Sequence, residues 1–283
     1  SFERTVYVND VPSNQVSTWI DIEEERFRNP ILRLFHTELE AVYEEKNRTL
    51  DNDGRQVYEK LLASSFPNHN YGRQTTIGTI EHLKNPSLVK IRDYYKTFYV
   101  PNNMAVIMVG DIEMASTFLE VKKKFSYMKA KKVPKLTFDA EQDLKEKVVM
   151  DVVGPSQESL MMGYRVPNAM DKDADLVNLV DLILANSSAG LIDLNMEKAQ
   201  KCIQAYSSTM MLKERGLHYF AGSPLEGQSL EELQALFYEQ IQMLKDGEFD
   251  MELVKSIVLN QKVSKIKEYD SYRATAYSLM DAF

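Results

Sequence analysis

Residues 94–111 read YYKTFYVPNNMAVIMVGD and combine the end of a predicted helix, a turn and an apolar run. Pro101-Asn102-Asn103 is a turn signal. Residues 104–109 are continuously apolar until Gly110-Asp111, which is typical of a strand covered on both faces of a sheet. Helices are predicted on either side, over about residues 87–98 and 114–125. This stretch therefore indicates a mixture of helix and sheet.

The residues before this stretch continue the same mixture. Residues 2–8 alternate in polarity as a strand does. Three helices are predicted from apolar residues at helical spacing, over about residues 12–28, 31–50 and 54–66. Residues 66–79 are rich in Pro, Asn and Gly and are predicted as a loop.

A charged connector over residues 126–147 separates this half from a second one of similar content. The second half contains predicted strands over 148–153 and 160–166, an interrupted helical region over 172–199, and a hairpin over 202–212 and 217–224. Ser229 and Glu232 form a capping box for a helix that Gly247 ends, and Asp250 caps a last helix. The order of elements predicts an α+β fold built from duplicated units, each a mostly antiparallel sheet packed with helices.

Composition excludes several classes of protein. The chain has 44% hydrophobic and 27% charged residues and a formal net charge of -8, which is typical of a globular protein. Its lysines and arginines are scattered, so no concentrated basic face for nucleic acid is predicted. No run approaches the roughly 20 apolar residues of a membrane span. The single cysteine, Cys202, excludes a disulfide framework.

The first residues show no charged and apolar leader, and the chain begins at Ser1 inside a strand-like alternation. We therefore expect an excised piece of a longer protein, with any signal peptide upstream. The compartment stays open between cytoplasm and periplasm.

The acidic face of the second predicted helix is the best candidate for chemistry. Glu38 and Glu45 are seven residues apart, about two helical turns, and point to the same side. Carboxylates on a rigid helix can bind a metal or orient another ligand. The alternative is a solvated face without function. His36 and Glu40 could also share a metal, but an i, i+4 pair of this kind is common.

Several segments, taken together and in order, resemble the pitrilysin/insulinase family of zinc metallopeptidases, also called inverzincins. The segments are Glu38-Leu-Glu-Ala-Val-Tyr-Glu-Glu45, Asn52-Asp53, Phe66-Pro-Asn-His-Asn-Tyr-Gly72, Thr76-Ile-Gly78-Thr79, Tyr94 to Met104, and Ala105 to Asp111. The resemblance is specific over residues 30–111 and extends further only as a similar order of elements.

The resemblance implies roles for the acidic helix. Family members bind zinc through a His-x-x-Glu-His motif and a downstream glutamate, and a second glutamate seven residues earlier supports the site. This implies Glu45 as the third zinc ligand and Glu38 as the supporting carboxylate. Glu44 is the rival for the ligand role, because a shift of one residue would exchange it with Glu45.

The chain departs from the family pattern in one respect: it contains no His-x-x-Glu-His. In the family this motif precedes the acidic helix and would fall before Ser1. Because zinc requires about three protein ligands, we expect zinc in the parent protein, but neither tight zinc binding nor peptide cleavage by these residues alone.

The resemblance also implies an architecture and a function. Residues 1–132 would be the C-terminal part of a first, catalytic-type unit, and 133–283 most of a second, non-catalytic one. The parent would be a zinc endopeptidase that acts on peptides or unfolded polypeptide. Its partner would be a second copy of itself or a homologous subunit. Two alternatives remain: a non-catalytic scaffold or peptide-binding subunit of the same fold, and a structural module without peptidase ancestry.

Overall fold

The computed structural model describes all residues 1–283 and contains eleven α-helices and three strands. The helices are α1 (Val16–Arg28), α2 (Phe35–Leu50), α3 (Asp53–Ser65), α4 (Asn70–Arg73), α5 (Ile80–Lys84), α6 (Leu88–Phe98), α7 (Met114–Lys124), α8 (Ala174–Leu184), α9 (Leu230–Asp246), α10 (Met251–Glu268) and α11 (Tyr272–Ala282). The strands are β1 (Leu160–Val166), β2 (Gln204–Met210) and β3 (Gly216–Ser223). A π-helical turn spans Asp193–Lys198.

The chain divides into two compact units made of interleaved segments. Unit 1 consists of Ser1–Arg4, Glu44–Thr79 and Phe138–Lys262. Unit 2 consists of Thr5–Tyr43, Ile80–Thr137 and Val263–Phe283. Helix α2 contributes residues to both. The division into residues 1–132 and 133–283 concerns the family architecture and stays a prediction.

Unit 1 is built around an antiparallel sheet with the strand order β1-β3-β2. In the central strand, Phe220 pairs with Met162 of β1 and with Ser207 of β2. Strand β3 is buried along most of its length, because helices cover both faces of the sheet. The sheet therefore lies inside unit 1 and has helices on either side.

Each face of the sheet has its own hydrophobic core. On one face, Phe220 packs with Leu233 and Phe237 of α9, and these residues belong to a cluster that also includes Leu184 of α8. On the other face, Leu217 belongs to a cluster with Leu62 and Phe66 at the end of α3. Alternate residues of β3 thus point to opposite cores, as strand geometry requires.

Helix α9 begins and ends where the sequence predicts. The Ser229 side chain accepts a hydrogen bond from the Glu232 backbone N–H, and the Glu232 carboxylate accepts one from the Ser229 N–H, which completes the capping box. Gly247 follows the last turn with a φ of 73°, the left-handed conformation that glycine adopts without steric cost.

Unit 2 is helical, with an aromatic cluster around α1. Phe27 of α1 lies edge-on to Tyr7, with ring centroids 5.5 Å apart, and stacks on Tyr99 at 6.1 Å. The Tyr95 hydroxyl of α6 donates a hydrogen bond to the Phe27 carbonyl at 2.8 Å. Helices α1 and α7 pack against each other. Aromatic packing therefore fixes the C-terminal end of α1.

Three predicted strands are wrong in this structure. The sequence patterns typical of a strand occur over residues 2–8, 104–109 and 148–153, but none of these segments forms a strand. The only paired strands are β1, β2 and β3. The reason is physical: alternation and apolar runs report which side chains favour a sheet, whereas a strand also requires a neighbouring backbone to hydrogen-bond along its length.

Two helix boundaries also differ from the predictions. The predicted loop over residues 66–79 contains the short helix α4, which His69 caps. The last predicted helix is divided, since α10 ends at Glu268 and α11 begins at Tyr272 with Ser271 as its N-cap. A side chain that accepts a hydrogen bond from a backbone N–H group favours the start of a new helix over continuation of the preceding one.

The predicted α+β class with an antiparallel sheet is confirmed. None of the helices has the combination of length and apolar character needed to cross a bilayer.

Candidate metal-ligand helix

Helix α2 carries the acidic residues predicted from the sequence. Glu38, Glu44 and Glu45 are all exposed, as are His36 and Glu40. The carboxylates of Glu38, Glu44 and Glu45 take part in no ion pair or side-chain hydrogen bond of the structure. These carboxylates are therefore available to a ligand.

The acidic residues and His36 lie on different sides of α2. Each residue advances by about 100° around the axis, so Glu38 and Glu45 lie within about 20° of each other. The half-buried stripe of the helix consists of Phe35, Leu39, Val42 and Tyr43, with the buried Lys46 in line. Glu38 and Glu45 border this stripe, whereas Glu44 lies on the opposite, solvent-facing side. His36 and Glu40 lie across the helix from Glu45.

Lys46, the residue after Glu45, is the only buried residue of α2. Its Nζ lies 3.4 Å from each carboxylate oxygen of Glu59 on α3. Arg55 Nε donates to the same carboxylate at 3.1 Å. Burial of an ammonium group is unfavourable unless the charge is paired, so Glu59 is what allows Lys46 to be buried.

The start of α3 explains how Glu59 is placed. The Asn52 side chain accepts a hydrogen bond from the Arg55 N–H at 2.8 Å and caps the helix. Gln56 donates to the Leu50 carbonyl at 2.7 Å, which links α3 to the last residue of α2. The Asn52-Asp53 segment thus ends one helix and begins the next within two residues.

The segment from Phe66 to Gly72 forms a second ordered element. Phe66 is fully buried. The Glu141 carboxylate accepts hydrogen bonds from the backbone N–H groups of Asn68 and His69, at 2.8 and 2.9 Å. The Tyr71 hydroxyl donates to Glu3, and burial raises the pKa of this hydroxyl. These contacts make the segment part of the unit 1 core rather than a free loop.

His69 is a structural residue in this segment. Its Nδ1 accepts a hydrogen bond from the Tyr71 N–H at 3.2 Å. Its ring lies between Tyr71 and Phe138, with centroid distances of 3.8 Å to each. Burial lowers the pKa of His69, and the negative charges of Glu214, Glu141 and Glu3 partly offset this effect. Burial therefore favours the neutral form of His69.

The lowered pKa of His69 predicts acid sensitivity. Because the folded state binds this proton less readily than the unfolded state, the contribution to stability is fully present above about pH 6.5 and declines as the pH falls below that value. We expect His69→Asn, which keeps an acceptor for the Tyr71 N–H, to reduce the slope of unfolding free energy against pH just below about pH 6.5. Urea titrations across this range measure the slope, and an unchanged slope would contradict this role.

A largely buried Asp–His–Ser cluster, with half-buried Asp181 at its centre, lies between α8 and the sheet. The Asp181 carboxylate accepts a hydrogen bond from Ser207 Oγ at 2.6 Å and lies 3.0 Å from His218 Nε2. Both partners bind the carboxylate rather than each other, which is unlike a nucleophilic triad, where the histidine contacts the serine. The cluster connects α8 to β2 and β3 and was not predicted from the sequence.

The residues of this chain fit zinc only in part. The carboxylate of a glutamate such as Glu45 is of a chemical type that zinc accepts as a ligand. No group of three His, Cys, Asp or Glu residues in the structure could hold a metal ion. These residues therefore do not by themselves form a site that fits zinc.

Two bacterial relatives are named zinc proteases. Zinc protease PqqE of Helicobacter pylori is 25% identical over 243 residues, which cover 84% of this chain and 54% of PqqE. The uncharacterized zinc protease YmfH of Bacillus subtilis is 22% identical over 300 residues, covering 99% of this chain and 68% of YmfH. The chain therefore spans about half the length of PqqE.

A solved structure shows a similar fold, and a family model shows the family. The crystal structure of a protease from Helicobacter pylori superimposes with a TM-score of 0.87 at 23% identity, over 96% of this chain and 67% of that one. Residues 87–260, more than half of the chain, match the model of the peptidase M16 inactive domain. The predicted resemblance to zinc metallopeptidases is thus confirmed, and the chain belongs to the peptidase M16 family through a domain of the inactive type.

Proposed function

We propose that the natural protein containing this chain is a zinc endopeptidase that hydrolyses peptides or unfolded polypeptide. In this proposal Glu45 is the third zinc ligand and Glu38 is the supporting carboxylate. Membership of the M16 family and similarity to proteins named zinc proteases support the reaction class.

The placement of Glu45 on α2 is the observation that carries the proposal. Glu45 and Glu38 are exposed, lie on the same side of one helix, and border its half-buried stripe. A ligand on a helix is held more rigidly than one on a loop. Glu44 faces away from the stripe, which favours Glu45 over its rival.

Each carboxylate has a separate task. Glu45 would hold the metal through a carboxylate oxygen, and Glu38, about two turns earlier on α2, would orient a neighbouring ligand by hydrogen bonding. Zinc, when bound, would supply the Lewis-acid chemistry for hydrolysis of a peptide bond. Since this chain offers one zinc ligand, we propose that these 283 residues alone are inactive.

The sheet of unit 1 suits an extended peptide as partner. The order β1-β3-β2 leaves the outer edges of β1 and β2 without a strand neighbour within the chain. Extended peptides bind such edges through main-chain hydrogen bonds. This supports a peptide or unfolded segment as the substrate class.

A non-catalytic subunit is the second candidate function. The family model that matches residues 87–260 describes an inactive domain, which favours a scaffold or peptide-binding role for this part of the protein. In that case the partner would be a homologous catalytic subunit or a second copy.

Metal removal separates the two candidates. We expect the complete natural protein to cleave an unfolded polypeptide, to lose this activity in a zinc chelator such as 1,10-phenanthroline, and to regain it when zinc is restored. Cleavage that the chelator leaves unchanged would contradict a zinc peptidase. Peptide binding without cleavage, with activity only after addition of a homologous subunit, would establish the second candidate.

A further inference from the structure

We propose that residues 147–151 pair antiparallel with the same residues of a second copy of the protein. The pairing goes beyond the proposed function, since it concerns how two copies associate and requires no metal. It rests on the unpaired backbone of this segment, on its apolar side chains that are exposed on both sides, and on charges that match when the segment meets its own copy.

The backbone of residues 147–154 is straight and unpaired. It contains no helix, turn or bend, and it belongs to none of the three strands. None of its N–H or C=O groups takes part in a backbone hydrogen bond within the chain. A row of unpaired groups along a straight backbone is a template for a neighbouring strand.

The side chains of this segment are apolar and exposed in both directions. Val148 and Val149 point to opposite sides of an extended backbone and are 52% and 66% exposed, and Met150 is 53% exposed. The rest of the chain therefore covers neither side. Four of the six residues 148–153 are valine, and valine favours strands. Pairing would remove some of this apolar surface from water, which favours association.

Charge complementarity selects a second copy as the partner and fixes the register. When Val149 lies opposite Val149 of the second copy, Lys147 lies opposite Asp151 and Val148 lies opposite Met150. The two-fold symmetry repeats each contact, so a Lys–Asp pair lies at either end of the apolar residues. Opposite charges directly across two strands stabilise the pair.

Other registers lose this match. A shift by one residue places Asp151 opposite either Glu146, which repels it, or Val148. A shift by two residues would place Lys145 opposite Asp151, but a bend at Glu146 separates Lys145 from the straight segment. The register with Lys147 opposite Asp151 is therefore the one that uses both the straight backbone and the charges.

Both charged residues are accessible for this contact. Asp151 is exposed and takes part in no ion pair or side-chain hydrogen bond of the structure. Lys147 is exposed, and its Nζ donates one hydrogen bond, to Gln234 Oε1 at 3.0 Å. An ammonium group has three donors, so Lys147 can keep this bond and pair with Asp151 as well. Because only five residues pair on each side, we expect a weak dimer with a micromolar or weaker dissociation constant.

Charge reversal tests the pairing in the complete natural protein, with the dissociation constant of the dimer measured by sedimentation velocity over a range of concentrations. Lys147→Asp alone and Asp151→Lys alone should each weaken self-association by at least about 10-fold, because each places like charges opposite one another at both ends of the pair. Mixed in equal amounts, the two variants should associate as strongly as the wild type, since every opposed pair then has opposite charges. The double variant should also associate like the wild type.

Lys145→Asp is the matched control, because this exposed lysine lies beyond the bend at Glu146, and it should leave the dissociation constant unchanged. Melting temperatures should not differ among the variants, since the altered side chains are exposed. Self-association that both single reversals leave unchanged would overturn the proposal, as would a mixture that associates no better than its components.

A complete protein that stays monomeric at every concentration would also overturn the proposal. Protection of the Val149 backbone N–H from hydrogen exchange in that monomer would show that the segment pairs within one molecule instead. Because none of these measurements depends on zinc, their outcome is independent of the chelator experiment that tests the proposed function.

Discussion

Replacing Asp193 with Ala is expected to lower the free energy of unfolding by about 4 kcal/mol, because it removes the charged acceptor of three backbone N–H groups, among them the buried N–H of Gly190. Asp193 is 4% exposed. Its Oδ2 accepts hydrogen bonds from the backbone N–H groups of Asn186, Ser188 and Gly190, each at 2.9 Å. One carboxylate thus holds the loop after α8 to the π-helical turn that Asp193 begins.

Equilibrium urea unfolding measures this effect. Asp193→Asn retains one acceptor without the charge and should cost about half as much, since hydrogen bonds to charged groups are roughly twice as strong as neutral ones. Glu239→Ala, at an exposed position of α9, is the control and should change stability by less than about 0.5 kcal/mol. A loss for Asp193→Ala as small as that of the control would contradict the role of Asp193.

Replacing Gly72 with Ala is the second large effect, with an expected loss of about 3 kcal/mol from overpacking. A Cβ at Gly72 would overlap the carbonyl oxygens of Leu62 and Phe66. The backbone that carries these oxygens cannot move easily, because the Phe66 N–H donates a hydrogen bond to the Leu62 carbonyl at 2.8 Å and Phe66 is fully buried.

Gly54 is the matched control for Gly72. It lies in the first turn of α3, and a Cβ there would meet only Asn52 Oδ1 at 3.5 Å. Gly54→Ala should raise stability by about 0.5–1 kcal/mol, because alanine loses less conformational freedom in a helix. Thermal and urea unfolding of both variants should therefore give changes of opposite sign. If Gly72→Ala and Gly54→Ala changed stability equally, the backbone around Gly72 would accommodate a Cβ without loss of stability, which would contradict this prediction.

Locally determined features could be predicted from the sequence. The Ser229–Glu232 capping box and the left-handed Gly247 depend on residues within one turn of each other, so their spacing was sufficient. Strand β1 has the predicted bounds, 160–166. The common side of Glu38 and Glu45 also follows from spacing alone, since both lie on α2.

Features that depend on distant partners could not be predicted. The pattern of residues 104–109 indicates a strand, but it does not identify a second segment whose backbone could pair with it. Lys46 looks like any other lysine of an acidic helix, and its burial depends on Glu59, 13 residues later on another helix. The partners of Asp193 are near in sequence, but it accepts their hydrogen bonds only because the loop after α8 folds back on it, and no sequence pattern indicates that loop conformation.

The zinc content of the complete natural protein tests the proposed role of Glu45 as a zinc ligand. Elemental analysis of the complete, purified protein should find zinc in stoichiometric amount in the wild type and in Glu44→Gln, and little zinc in Glu45→Gln, with all three equally folded by circular dichroism. Stoichiometric zinc in Glu45→Gln, or its loss in Glu44→Gln alone, would contradict the assignment.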